Sequence, residues 1–269
     1  MKRFIAALLV TVSLYACSTN AFTGRSQLTL YSESEIQTMA TQEYRQFLTE
    51  NKVVAASVSK DAEMVKRVGQ RIAKAVTDYA AKNNLTKEIE GYQWEYNLVD
   101  SKEVNAWCMP GGKIVVYTGL LPITQNEAAL AVVMGHEIMH AIAKHGNERM
   151  SEGMVQQLGG VALAVAVSSK PAETQDLFMT AYGIGSNVGV MLPFSRKNEL
   201  EADKFGLYFT AMAGYNPQEA IALWKRMEQA SGGNKPPEFL STHPLEENRI
   251  KELEKIMPQA LAYYKPMNK

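Results

Sequence analysis

Lysines and arginines are balanced by acidic residues, 28 against 28, and no basic stripe appears along the chain. That lacks the electrostatic footprint of a protein that grips phosphate backbones, so nucleic acid is excluded as a partner class. The two cysteines, Cys17 and Cys108, give no disulfide framework. The apolar runs at Phe4–Val12 and Gly159–Val167 fall far short of the roughly 20 residues that span a bilayer. Histidine is scarce as well: there are four, and two of them lie within five residues of each other. What remains, 46% hydrophobic and 21% charged over 269 residues, is the composition of a globular chain long enough to bury a sizeable core.

The paired histidines are His136 and His140, in the run His136-Glu137-Ile138-Met139-His140. Apolar residues at helical spacing precede them from Ala128 to Met134, so the run is expected on a helix. Residues four apart share a helix face, which lets both imidazoles reach one ion. Glu137 then points toward a water on that ion, as the general base of a zinc metalloprotease does. Without a ligand, two imidazoles and a carboxylate on an apolar helix would be costly to bury.

Met1-Lys2-Arg3, the apolar Phe4–Val12 and Leu14-Tyr15-Ala16-Cys17 read as a secretory signal ending in a bacterial lipobox. Residues 1–16 are the expected signal peptide, Cys17 the lipidated residue, 17–31 a lipid-bearing tether and 32–269 one metallopeptidase domain. Ser18, rather than aspartate, after the cysteine directs the reading to the outer membrane. Ser32 and Glu35 form a capping-box pattern opening a helix to about Leu48. Asp61–Ala81 has amphipathic helical spacing, and Trp94–Val99 alternates like a strand. Pro110-Gly111-Gly112, between two β-rich runs from Val104 to Leu121, signals a hairpin. Its edge, with Asn105, Ala106, Trp107 and Cys108, is either a plain structural strand or one that holds an extended peptide by main-chain hydrogen bonds. Ala141–Met150 is expected to continue the zinc-motif helix, with His145 half a turn off the ligand face as a surface or supporting residue. The glycine-rich Tyr182–Gly189 reads as a loop or lid.

A catalytic zinc needs a third protein ligand. Ser195–Gly206 continues amphipathically to Ala211, hence a helix, and carries Glu199 and Asp203 four apart on one face. Glu199 is the expected third ligand and Asp203 the carboxylate that orients a ligand histidine. Glu201 points the other way and is expected only to solvate its face. Asn216-Pro217-Gln218-Glu219 opens another helix with proline in its first turn.

His-Glu-x-x-His at 136–140, Ser-Arg-x-x-Glu-x-x-Ala-Asp at 195–203 and Asn-Ala-x-x-x-Pro-Gly-Gly-Lys-Ile at 105–114 together resemble the membrane-associated zinc metallopeptidases that include the CAAX prenyl protease, HtpX, BepA and LoiP. The likeness is closest to the periplasmic lipoprotein members. It implies that Glu199 is the zinc ligand and that the 105–114 edge binds substrate. It also implies a role in envelope quality control, on misfolded or misassembled outer-membrane proteins, near the outer-membrane assembly machinery. Ser241-Thr242-His243-Pro244 resembles the family's Thr-His-Pro segment before a last helix. There His243 either occupies the open zinc position and latches the site or caps the helix, and Arg249 is either an ion-pair former or a cleft residue.

The expected protein is therefore a mainly α (α+β), zincin-like helical metalloprotease domain with a small β-hairpin or sheet at the cleft. It binds one zinc per chain through His136, His140 and Glu199, with Glu137 and Asp203 as catalytic groups. It is anchored to the outer membrane through Cys17 and faces the periplasm. The competing expectation is a chaperone-like assembly factor whose zinc site is latched by His243.

Overall fold

A computed structural model describes residues 17–158, 174, 181, 194–232, 237–244 and 249–266. The expected signal peptide, the apolar Gly159–Val167 run and the glycine-rich Tyr182–Gly189 segment lie outside the described residues. Among the described residues the architecture is mainly helical, as expected, with two small sheets where the sequence reading expected one at the cleft.

The described residues begin with β1 (Cys17–Thr19) and β2 (Ser26–Leu28), an antiparallel ribbon in which Cys17 faces Leu28. Within the segment expected as a tether, Asn20, Phe22, Gln27 and Tyr31 are buried while Ser18, Thr19, Ala21, Gly24 and Ser26 are exposed. Phe22 at its turn is buried, stacked on Tyr79 and edge-on to Phe205. The sequence there is short and polar, and its ordering comes from contacts with residues far along the chain.

Helix α1 (Glu33–Glu50) starts at the expected capping box. The Ser32 side chain accepts from the Glu35 amide while the Glu35 carboxylate accepts from the Ser32 amide. After β3 (Val53–Val54), α2 (Lys60–Lys82) buries Val65, Val68, Ile72 and Val76 as its spacing predicts. Strands β4 (Glu95–Val99), β5 (Ala106–Met109) and β6 (Lys113–Tyr117) complete a four-stranded sheet in the order β3-β4-β6-β5. The hairpin of β5 and β6 is antiparallel, with Met109 facing Lys113. Pro110 and Gly111 make its turn: Gly111 has φ +79°, which glycine tolerates without strain, and the Gly112 amide returns to the Met109 carbonyl. β6 runs parallel to β4, so β5 is displaced to the sheet edge.

A short helix α3 (Leu121–Thr124) leads to α4 (Glu127–Ile142), whose first turn is capped by Asn126. This helix is buried on nearly every side, from Ala129 to Ile142. It does not continue to Met150. Lys144 adopts φ +60°, and a new helix, α5 (His145–Leu158), begins at once. The remaining described helices are α6 (Arg196–Met212), α7 (Glu219–Ser231), α8 (Glu238–Thr242) and α9 (Arg249–Leu261). Helix α7 starts two residues after Pro217 rather than at it.

The pairing of α4 with α6 positions the site. The two backbones touch where Gly135 meets Gly206. A Cβ on Gly135 would lie 2.8 Å from the Gly206 carbonyl oxygen, and one on Gly206 would lie 2.8 Å from the His136 amide nitrogen. Thr210 Oγ1 bonds the Ala131 carbonyl at 3.2 Å one turn away. Two glycines thus let the helices approach closely enough for carboxylates on α6 to reach imidazoles on α4.

Candidate metal centre

His136, Glu137 and His140 project from α4, and Glu199 and Asp203 from α6, all buried. His243 comes from the residue that ends α8 and is also buried. The ring nitrogens Nε2 of His136 and His140 are 3.0 Å apart, and His140 Nε2 is 3.2 Å from Glu199 Oε1. His243 Nδ1 lies 3.2 Å from His136 Nε2 and 2.9 Å from Glu199 Oε1. His136, His140, Glu199 and His243 each offer one donor atom, all within 4.8 Å of one another.

Donors held about 2.0–2.1 Å from a tetrahedral ion lie about 3.3 Å from each other. The separations of 2.9–3.2 Å lie just under that spacing, and three imidazoles with one carboxylate are a donor set suited to zinc. Burial pushes the pKa of His140 well down and that of His243 to about 4, so both present neutral lone pairs near pH 7. Burial alone would raise Glu199, but His243, Arg249 and His136 hold it well below the usual carboxylate range. The residues present fit a metal ion.

Glu137 differs from these four. Burial, reinforced by the Glu199 charge, pushes its pKa well above the usual range. Its Oε1 is 3.4 Å from His243 Nε2 and makes no hydrogen bond. A buried carboxylate oxygen with no hydrogen bond, beside four converging donors, is placed to exchange a proton with a small molecule at the cluster.

Asp203 Oδ1 lies 2.9 Å from His136 Nδ1, where an ionised carboxylate accepts the ring N–H. Arg249 Nη2 and Nε reach Asp203 at 2.8 and 2.9 Å, and Nη1 reaches Glu199 Oε2 at 2.7 Å. Arg249 lies 3.5 Å over the Trp224 ring. Of the two sequence alternatives for this arginine, the contacts are those of an ion pair that braces Glu199 and Asp203.

Two expectations require correction. Glu201 does not merely solvate its face: its carboxylate bonds Arg25 Nε at 2.8 Å and His145 Nε2 at 2.9 Å. Of the two readings of His145, surface or supporting, the surface one fails: the residue is fully buried, and its Nδ1 lies 3.0 Å from His140 Nδ1. Counting along an unbroken helix turned His145 away, whereas the break at Lys144 turns it back. The sequence offered one signal, a third histidine five positions after the motif.

A narrow cleft beside the cluster is lined by Asn105, Ala106, Trp107 and Cys108 on the sheet edge and by Glu137, His140 and His243 opposite. Cys108 is buried, and burial with the nearby Glu137 charge pushes its thiol well up, the setting of an inert cysteine. The edge of β5 thus flanks the donor cluster.

The sequence matches Peptidase family M48 over residues 59–257. The chain belongs to that family. It is 38% identical over 182 residues to the mitochondrial metalloendopeptidase OMA1 of Arabidopsis thaliana, covering 67% of this chain and 35% of that protein. To the mitochondrial metalloendopeptidase OMA1 of Danio rerio it is 32% identical over 264 residues, 96% of this chain and 53% of that one. To the beta-barrel assembly-enhancing protease of Escherichia coli it is 34% identical over 165 residues, 58% and 33% of the two chains. The chain spans about a third to a half of the length of these relatives. Among the described residues no helix is long and apolar enough to cross a membrane.

Proposed function

We propose that this chain is a zinc-dependent metalloendopeptidase that cleaves unfolded or misassembled proteins of a bacterial envelope. The observation that carries the proposal is the buried convergence of His136, His140 and Glu199 beside a Glu137 oxygen that makes no hydrogen bond. Zinc held there would supply Lewis acidity, lowering the pKa of water and polarising a scissile carbonyl. Glu137 takes the proton from the attacking water and passes it to the leaving amine. Asp203 fixes the His136 ring, and Arg249 neutralises part of the carboxylate charge behind the donors. The edge of β5 from Asn105 to Cys108 holds an extended peptide by main-chain hydrogen bonds.

The envelope assignment rests on the lipobox pattern at Cys17 and on the beta-barrel assembly-enhancing protease among the relatives. In this reading the protein sits on the outer membrane, lipid-anchored through Cys17 and facing the periplasm, with the assembly machinery as a candidate partner. The mitochondrial relatives share the enzyme class, and the lipobox pattern at Cys17 favours a bacterial envelope over their compartment.

A second reading is favoured by His243, which sits among the donors where a catalytic site keeps a position open. In that reading the protein is an assembly factor of chaperone-like type whose zinc site is latched until a partner withdraws His243. Casein digestion separates the two. The parent cutting and Glu137→Gln failing to cut supports the protease. Cutting only by His243→Arg supports the latch. Cutting by Glu137→Gln at the parent's rate contradicts the proposed chemistry.

A further inference from the structure

Arg25, His145, Glu148 and Glu201 form a second polar cluster behind His140. Glu201 is the carboxylate that the sequence left on the wrong side of its helix. One of its oxygens is 2.9 Å from His145 Nε2 and the other 2.8 Å from Arg25 Nε. The two terminal nitrogens of Arg25 grip both oxygens of Glu148 at 2.6 Å each. Glu148 also accepts from Asn198 Nδ2 at 2.9 Å, one residue before Glu199. Gln27, on β2 two residues after Arg25, donates to the Ala143 carbonyl at 2.7 Å, at the break between α4 and α5.

With Glu201 ionised and His145 neutral, the protons in this chain of contacts run one way. An ionised carboxylate has none to give, so Glu201 accepts the Nε2–H of His145. A neutral His145 then has only a lone pair at Nδ1, and it accepts from Nδ1–H of His140 at 3.0 Å. His140 is left with its lone pair on Nε2, the atom that faces His136 and Glu199. The arrangement parallels the other ligand. His136 is backed directly by Asp203, which Arg249 holds, and His140 is backed through His145 by Glu201, which Arg25 holds.

We propose that Arg25 and Glu201 are positioning residues of the metal centre, acting through His145 to fix the tautomer and ring orientation of His140. The N-terminal ribbon that carries Arg25 is then part of the centre rather than a tether to it. This inference rests on the metal-site reading given above. Arg25 lies 123 residues from Glu148 and 176 from Glu201 in sequence, so the ribbon must dock on the folded domain before the relay is complete.

The test uses the full chain, with zinc affinity measured by competition with a chelator and the visible spectrum of the cobalt-substituted protein recorded alongside. Glu201→Gln keeps the side chain's size but replaces a charged acceptor with a neutral amide. Arg25→Ala removes the clamp, and Arg25→Lys restores the charge without the two-pronged grip. The expected result is zinc affinity lower by about 10–100-fold in Glu201→Gln and Arg25→Ala, with an altered cobalt spectrum and partial recovery in Arg25→Lys. Parent affinity and an unchanged cobalt spectrum in a folded Glu201→Gln, whatever its melting temperature, would reduce these residues to structural braces and overturn the proposal. Should Arg25→Ala not fold, Glu201→Gln and Arg25→Lys still decide the matter. A parent that takes up no zinc would instead overturn the metal-site reading beneath it.

Discussion

Gly206→Ala is expected to damage both stability and metal binding, because of what the new methyl group would meet. Its Cβ would lie 2.8 Å from the His136 amide nitrogen and 3.0 Å from both the Gly135 carbonyl carbon and the His136 Cα. All three atoms are backbone, so no side chain can swing aside. Restoring an ordinary contact distance requires α4 and α6 to separate by about half an ångström or more, in an interior packed as densely as a crystal. Overpacking of this kind costs about 1–3 kcal/mol, which for a domain of this size lowers Tm by about 2–12 °C. The strain falls on His136 itself, so the geometry between His136 and the carboxylates of α6 loosens with it. Zinc affinity should fall by about 10-fold or more. Gly232→Ala is the control: among the described residues its Cβ would meet only the Gln229 carbonyl oxygen at 3.6 Å, an ordinary contact. Thermal melts followed by circular dichroism, together with chelator competition, would measure both effects. A Gly206→Ala protein with parental Tm and parental zinc affinity would refute the close-approach argument.

Ser32→Ala removes the hydroxyl that caps α1 and should cost about 1 kcal/mol in a thermal melt, with zinc binding unchanged. Asp203→Asn is expected to flatten the acid limb of stability in zinc-free protein. Burial raises the Asp203 pKa, but Arg249 and His136 outweigh it and hold it below its usual value. A depressed folded pKa contributes stability that is present above the unfolded value near 3.9 and is lost as pH falls toward the folded one. Between about pH 6 and about pH 3, Tm should therefore drop more steeply in the parent than in Asp203→Asn. Equal slopes would remove Asp203 from the ion pair. Glu137→Gln should keep the parent's metal content and fold while losing cleavage of casein. Loss of zinc from that variant would make Glu137 a ligand rather than a proton carrier.

The parts of the site that were legible in the sequence are those encoded within one helix. Four-residue spacing placed His136 with His140 and Glu199 with Asp203, and a Ser-x-x-Glu pattern marked the start of α1. The hairpin was legible because Pro110-Gly111 specifies its own turn. Pairings across the chain were not. Nothing in Ala143-Lys144-His145 resembles a helix breaker, since the turn is made by a lysine with φ +60° rather than by glycine or proline. His145 was turned the wrong way for that reason. Glu201 was set aside because it lies on the opposite face from Glu199, and that face proves to carry a partner of its own. Arg25 sits in a short polar stretch that reads as tether, and its meaning depends on two carboxylates more than a hundred residues away. The parallel pairing of β6 with β4 leaves no local trace either, yet it sends β5 to the edge beside the cleft.

The most direct test of the metal centre is zinc content, measured by plasma mass spectrometry on the purified parent, Glu199→Ala and Glu137→Gln. A centre built by His136, His140 and Glu199 predicts one zinc per chain in the parent and in Glu137→Gln, and a large loss in Glu199→Ala. No zinc in the parent, or a full complement in a folded Glu199→Ala, would contradict it.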